Sequence, residues 1–100
     1  MIIYNVTLNV DEEVVESWLK WMLETHIPDV MRTGMFTGFR LCRVLAEEAG
    51  GKTYAVQYTC NDMKTYERYR DEFAPSLQAE TARLFGGRFT AFRTLLEVVA

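Results

Sequence analysis

The single histidine of this 100-residue chain, His26, is the side chain best suited to acid–base chemistry. An imidazole changes charge near neutral pH, so it can move a proton or contact a ligand. We therefore predict His26 as the catalytic residue if the protein is an enzyme. The alternative is a structural role, in which His26 caps helix carbonyls or pairs with Glu24 or Asp29. One histidine without cysteine or carboxylate neighbours at ligand spacing predicts no metal site.

Three arginines, Arg40, Arg43 and Arg93, lie within segments that are otherwise apolar and strand-like. Their forked donors match the geometry of a carboxylate, so two of them together could bind an acidic ligand. We predict Arg40 as a ligand-binding residue that orients a substrate together with Tyr58. The alternative is that the arginines pair with Glu97 or with a partner subunit.

Four aromatic side chains, Tyr4, Trp18, Trp21 and Tyr58, are predicted to bind a ligand. They could line a cleft between a helix and the sheet that suits a flat aromatic substrate or haem. The alternative is a plain aromatic core. The sequence contains no activated nucleophile and no phosphate-binding loop, so we predict no cofactor.

The composition predicts one domain, residues 1–100, with 49% apolar residues and a formal charge of −3. No run approaches the roughly 20 apolar residues of a membrane helix, and the negative charge gives no basis for binding nucleic acid. Met1 leads directly into a strand pattern without a basic leader, so we expect a cytoplasmic protein. Cys42 and Cys60 are then expected to be reduced, buried and apolar in character.

Alternation of apolar and polar residues predicts four strands, at Ile2–Val10, Phe36–Glu47, Lys52–Cys60 and Arg88–Val99. The paired glycines within Glu48–Gly51 predict a hairpin turn, because glycine accepts a positive φ. The second and third strands should therefore be antiparallel neighbours.

Two amphipathic patterns at helical spacing separate these strands. Asp11 is the predicted cap of the first helix, which should end near His26 because Pro28 disfavours helical geometry in the preceding residue. Pro28 can itself open a short following turn, which Gly34 ends. Asn61 is the predicted cap of the second helix. That helix should reach the glycines at 86 and 87, with Pro75 bending or dividing it.

The order β-α-β-β-α-β predicts an α+β fold with a four-stranded antiparallel sheet and two helices on one face. The residues predicted to face the helices are Tyr4, Val6, Leu8, Tyr54, Val56, Tyr58, Phe92 and Leu96. The residues predicted on the open face are Ile3, Asn5, Thr7, Asn9, Thr53, Gln57, Thr59, Arg93 and Glu97. Because Ile3, Ala55, Ala91 and Leu95 make this open face partly apolar, we predict a homodimer that forms through it.

The chain resembles a small bacterial family of unknown function in five segments, at residues 1–7, 18–22, 26–28, 53–58 and 89–97. The resemblance covers nearly the whole chain. It implies a ferredoxin-like domain in a dimeric α/β-barrel, an arrangement also used by cofactor-independent monooxygenases, muconolactone-isomerase-like enzymes and ligand-sensing domains. The family carries no accepted catalytic residues that could be transferred to this chain.

We therefore expect an uncharacterised small cytoplasmic homodimer that binds a small molecule or has a structural role. The alternative is a cofactor-independent enzyme, monooxygenase- or isomerase-like, that acts on a small hydrophobic or aromatic substrate. A cavity of roughly 300 Å³ between helices and sheet would favour the enzyme, provided that His26 and an arginine enter it.

Overall fold

The computed structural model describes residues 1–46 and 50–100 and contains one antiparallel sheet. Its strands are β1 (Ile2–Val10), β2 (Gly38–Arg43), β3 (Lys52–Cys60) and β4 (Phe89–Glu97), in the spatial order β2-β3-β1-β4. The predicted fold class is confirmed. The predicted second strand is shorter than expected, and its last residue, Glu47, lies outside the described residues together with Glu48 and Ala49 of the predicted turn. Gly51 has the positive φ, 71°, expected of a glycine turn.

The central strands β1 and β3 have the predicted faces. Tyr4 lies opposite Tyr58, and Val6 lies opposite Val56. Even-numbered residues of both strands are buried beneath the helices, except that Val6 and Lys52 are half-buried, while odd-numbered residues are half-exposed on the other face. The alternation that predicted these strands therefore also predicted which side chains form the core.

The edge strand β4 has the opposite face assignment from the one predicted for Phe92, Leu96, Arg93 and Glu97, and also for Ala91 and Leu95. Ala91 lies opposite Leu8 and Leu95 lies opposite Tyr4, so these two apolar residues face the helices and do not belong to the open face. Arg93 lies opposite Val6, so it projects toward the helices, and so does Glu97 four residues later. Phe92 and Leu96 project from the open face and are 63% and 41% exposed. The prediction was wrong because apolar residues occur at both parities of this strand, so hydropathy does not choose between them. Pairing with β1 decides the face.

The first helical run is longer than predicted. It comprises a 3₁₀ turn at Glu12–Val14, α1 at Val15–Trp21, a π turn at Met22–His26 and α2 at Ile27–Arg32. The predicted end near His26 is wrong, because Ile27 keeps helical angles (φ −61°, ψ −45°). Its N–H bonds the Met22 carbonyl five residues earlier. This wider turn leaves room for the ring of Pro28, which in a regular helix would press on the carbonyl four residues before it.

The second helical run is divided as predicted, into α3 (Met63–Glu72) and α4 (Ala74–Phe85), with the break just before Pro75. The capping residue is Asp62 and not Asn61. The Asp62 carboxylate accepts hydrogen bonds from the backbone N–H and the hydroxyl of Thr65, at 2.9 and 2.8 Å.

At the start of the first run, the predicted cap residue Asp11 makes no side-chain bond to the helix. Its carboxylate instead accepts a hydrogen bond from Arg88 at 2.9 Å. This contact joins the end of β1 to the residue before β4, and the Asp11 N–H also bonds the Arg88 carbonyl.

The core lies between the sheet and the helices, and its fully buried large side chains are Trp18, Ile27, Val10, Val30, Val56 and Cys60. Cys42 is half-buried and lies opposite Ala55, so the two cysteines do not face each other. Across residues 1–46 and 50–100, no helix has the length and apolar character needed to cross a bilayer.

Candidate functional site

A cavity of about 50 Å³ lies between the sheet and the helices. Its sheet wall consists of Tyr4, Val6, Leu8, Val56, Tyr58 and Arg93, and its helical wall consists of Met22, His26, Tyr69, Leu77, Gln78 and Thr81. Gln78 on α4 and Arg93 on β4 are the exposed lining residues, so they mark the mouth. We call this space the helix–sheet cavity. It is smaller than the roughly 300 Å³ of sites for drug-sized ligands.

His26 enters the helix–sheet cavity from the end of the π turn. Its imidazole stacks on Trp21, with ring centroids 4.8 Å apart and an angle of 26° between the planes. Burial lowers the pKa of His26 below its ordinary value of 6.5, against an opposing effect of the Asp29 carboxylate. A neutral imidazole offers one nitrogen that accepts a hydrogen bond or a proton and one that donates.

The lowered pKa of His26 predicts a specific loss of stability in acid. Between pH 6.5 and the lower pKa of the folded state, the unfolded chain binds a proton that the folded chain does not, so stability falls as pH falls. His26→Gln should lack this contribution. Urea unfolding of both proteins from pH 7.5 to pH 5 measures it, and the wild type should lose more stability than the variant. Equal losses would contradict the prediction.

Tyr4 and Tyr58 stand side by side on the floor of the helix–sheet cavity. They are cross-strand partners, and their rings lie 6.1 Å apart. Tyr58 is 2% exposed, and its buried hydroxyl has no hydrogen-bond partner among the described residues. Burial, with smaller effects of Tyr69 and Tyr4, raises the pKa of Tyr58, so the hydroxyl stays protonated. An unpaired buried hydroxyl costs about 1–3 kcal/mol unless something in the cavity bonds to it.

Arg93 reaches the same floor from β4. Its Nε donates a hydrogen bond to the Tyr4 hydroxyl at 3.0 Å. Within the described part of the chain, no carboxylate lies within ion-pair distance of this guanidinium. Arg93 therefore keeps donors and a positive charge at the mouth of the cavity. The predicted pairing of Arg93 with Glu97 is not observed.

The predicted site residues divide into two groups. His26, Tyr4 and Tyr58 all line the helix–sheet cavity. Arg40 does not join them, because it pairs with Gln57 on the open face of the sheet, in a depression of about 230 Å³. Trp18 is fully buried, with its ring 5.2 Å from that of Tyr54 and its indole N–H unpartnered among the described residues.

Trp21 supports the site without lining the cavity. It is half-buried, and it packs between His26 and Phe85, whose ring centroid is 5.3 Å away. It therefore holds the imidazole against the end of α4.

Arg93 was one of the three arginines predicted as possible carboxylate donors, but β4 was assigned to the wrong face, so Arg93 was predicted on the open face, away from the cavity that it lines. Gln78 and Thr81 were also missed, since polar residues on an amphipathic helix are normally solvent-exposed. The signal for the site is that Arg93 on β4 lies opposite Val6 on β1. That pairing depends on the strand register, which the sequence does not show.

Over residues 1–46 and 50–100, no cluster of three or more histidine, cysteine or acidic side chains is placed to hold a metal ion.

The sequence matches the model of a domain family of unknown function (DUF4286) over residues 1–99. A search of curated proteins found no match.

Solved structures similar to this chain include three that cover nearly all of it. A dimeric ferredoxin-like protein from an uncultured marine organism has a TM-score of 0.75 at 11% identity, covering 99% of this chain and 94% of its own. SnoaB, a cofactor-independent oxygenase from Streptomyces nogalater, has 0.70 at 13%, covering 99% and 93%. An ethyl tert-butyl ether d (ethd) family protein from Bacillus halodurans has 0.72 at 13%, covering 99% and 100%. At these identities the likeness establishes the shared fold.

Proposed function

The chain belongs to this DUF4286 family of unknown function, and on that premise we propose that it is a cytoplasmic homodimer that binds a small molecule in the helix–sheet cavity. The observation that carries the proposal is the Tyr58 hydroxyl, which is 2% exposed in the wall of the cavity and has no partner within residues 1–46 and 50–100, while the arginine at the mouth has no ion pair among the same residues. Buried polar groups are nearly always hydrogen-bonded, so such a group favours a bound partner.

The size of the cavity limits the ligand. About 50 Å³ is enough for a few water molecules or a small group, and a single-ring compound needs the mouth to widen. Gln78 is exposed, so its side chain can move without disturbing the core. We expect a ligand with one aromatic ring, inserted beside Tyr4 and Tyr58.

The dimer is proposed to form through the open face of the sheet. Phe92 and Leu96 are exposed there, and Leu96 lies opposite Ile3. From strand spacing and rise, this face covers roughly 500 Å² per copy, or 1,000 Å² for a pair, which is enough for a specific interface. A solved protein of this fold is described as dimeric, which supports the same assembly here.

A screen of single-ring aromatic compounds by ligand-observed NMR tests the binding function on the whole protein. We expect some of them to bind, and we expect Gln78→Trp to weaken their binding at least tenfold because the indole fills the mouth. Ala79→Trp is the matched control, because Ala79 is exposed on the same helix and does not line the cavity. Absence of any binding would contradict the proposal, and so would equal binding by the two variants.

The alternative function is catalysis without a cofactor, with His26 as the acid–base residue. Its specific support is that His26 and Arg93 line the same cavity, that burial lowers the pKa of His26, and that the fold is similar to that of a cofactor-independent oxygenase. In this alternative, Arg93 has the substrate-orienting role that was predicted for Arg40. Incubation of any bound compound with the protein in air, with oxygen uptake and product measured, distinguishes turnover from simple binding.

A further inference from the structure

The described lining of the helix–sheet cavity contains an arginine but no carboxylate. Of the lining residues that the structure describes, Arg93 is the only permanently charged one, and none of them is Asp or Glu. The single hydrogen bond found for Arg93 within residues 1–46 and 50–100 goes through Nε to the neutral Tyr4 hydroxyl. The terminal nitrogens of a guanidinium remain as donors in that case, and they match the two oxygens of a carboxylate.

The two phenols of the floor add further donors. The Tyr4 hydroxyl accepts from Arg93, so its own hydrogen remains available, and the Tyr58 hydroxyl has no partner. The two residues lie directly opposite each other on neighbouring strands with stacked rings, so both phenols project from the same face. One cation and two hydroxyl donors thus meet in a lining that, among the described residues, contains no carboxylate.

Apart from Gln78 and Thr81, the rest of the described lining is apolar or aromatic. Val6, Leu8 and Val56 line the sheet side, and Tyr69 on α3 lies with its ring 5.8 Å from that of Tyr4. Rings of this kind favour a planar aromatic group, by stacking or by edge contact.

We propose that the helix–sheet cavity selects a small aromatic acid, bound as its anion with its carboxylate on Arg93, Tyr4 and Tyr58. This inference rests on the proposed function, since it names the ligand class of the same site. The acidic group supplies acceptors for these donors, and the single ring enters between the apolar walls once the mouth of the cavity, now about 50 Å³ in volume, has widened. A neutral ligand of the same shape leaves the guanidinium without an anion, so it binds more weakly.

Matched acids and amides test the ligand class on the whole protein. Benzoate is compared with benzamide, and phenylacetate with phenylacetamide, by ligand-observed NMR titration at fixed ionic strength. We expect at least one acid to bind at least tenfold more tightly than its amide. If the amides bind as tightly as the acids, the ligand class is wrong while the binding function stands. If no compound in the wider single-ring screen binds, the binding function itself fails.

Variants of the proposed donors connect the preference to particular residues. Arg93→Gln should reduce acid binding to the level of the amide, and Arg93→Lys should keep part of the preference because it keeps the charge. Tyr58→Phe should weaken acid binding about three- to tenfold. Arg83→Gln is the matched control, since Arg83 is exposed on α4 away from the cavity. Unchanged acid binding by Arg93→Gln would overturn the proposal, and the comparison of acid with amide decides it if that variant does not fold.

Discussion

Trp18→Ala is expected to lower the free energy of unfolding by about 3–5 kcal/mol, as large-to-small changes of fully buried aromatic residues do. Trp18 is 0% exposed, and it packs α1 onto the sheet with its ring 5.2 Å from that of Tyr54. Alanine leaves a void beneath the helix that also carries the π turn and His26. Because domains of this size have about 5–15 kcal/mol in total, the loss is large. Urea unfolding followed by circular dichroism measures it.

Trp18→Phe separates the packing from the indole N–H. The N–H of Trp18 is buried without a partner among the described residues, so phenylalanine keeps a ring and removes an unsatisfied donor. We expect this variant to lose under about 2 kcal/mol. Trp21→Ala is the second control, because Trp21 is only half-buried and should matter less. A loss below about 1 kcal/mol for Trp18→Ala would contradict the role of this residue.

The sequence was sufficient to predict the fold because its central strands alternate without interruption. In β1 and β3 the apolar residues occupy one parity and polar residues such as Asn5 and Gln57 occupy the other, so only one face can be buried. The same alternation placed Tyr4 and Tyr58 on the helix side. The floor of the candidate site was therefore predictable.

The mouth of the site was not predictable, because β4 is an edge strand with apolar residues at both parities. The helices cover this edge only in part, so Arg93 faces them and yet reaches solvent. Phe92 faces the other side and is exposed in the single chain. Local hydropathy does not show which of Arg93 and Phe92 faces the helices, since the face of each β4 residue depends on the hydrogen-bond register with β1.

Local sequence rules also do not predict that the first helical run continues past Pro28. Pro28 predicts an end of the helix near His26, and propensity alone gives no reason to continue. Burial of Ile27 and Val30 beyond the proline supplies that reason, at 2% and 0% exposure. The π turn lets the helical run continue past Pro28 while Ile27 and Val30 stay buried. It ends at His26. π turns of this kind are frequent at functional sites, so the irregularity agrees with the placement of His26 in the cavity.

Phe92→Glu is expected to convert the proposed dimer into a monomer. The substitution places a carboxylate on the open face, at the edge strand β4, and two-fold symmetry repeats it in the second copy. Each buried charge without a partner costs at least about 2 kcal/mol, so the pair weakens the dimer by about 4 kcal/mol, or about 1,000-fold in Kd. Sedimentation velocity and native mass spectrometry at micromolar concentration should find twice 11.6 kDa for the wild type and 11.6 kDa for the variant.

Leu84→Glu is the matched control for the interface. Leu84 is a large apolar side chain on α4 that is 44% exposed, and it lies on the helical side of the molecule, away from the open face. The same loss of apolar surface and gain of charge there should leave the mass at twice 11.6 kDa. A Phe92→Glu protein that stays dimeric would show that the copies meet elsewhere. A wild-type protein that is monomeric at millimolar concentration would remove the homodimer from the proposed function and leave the ligand experiments to decide the rest.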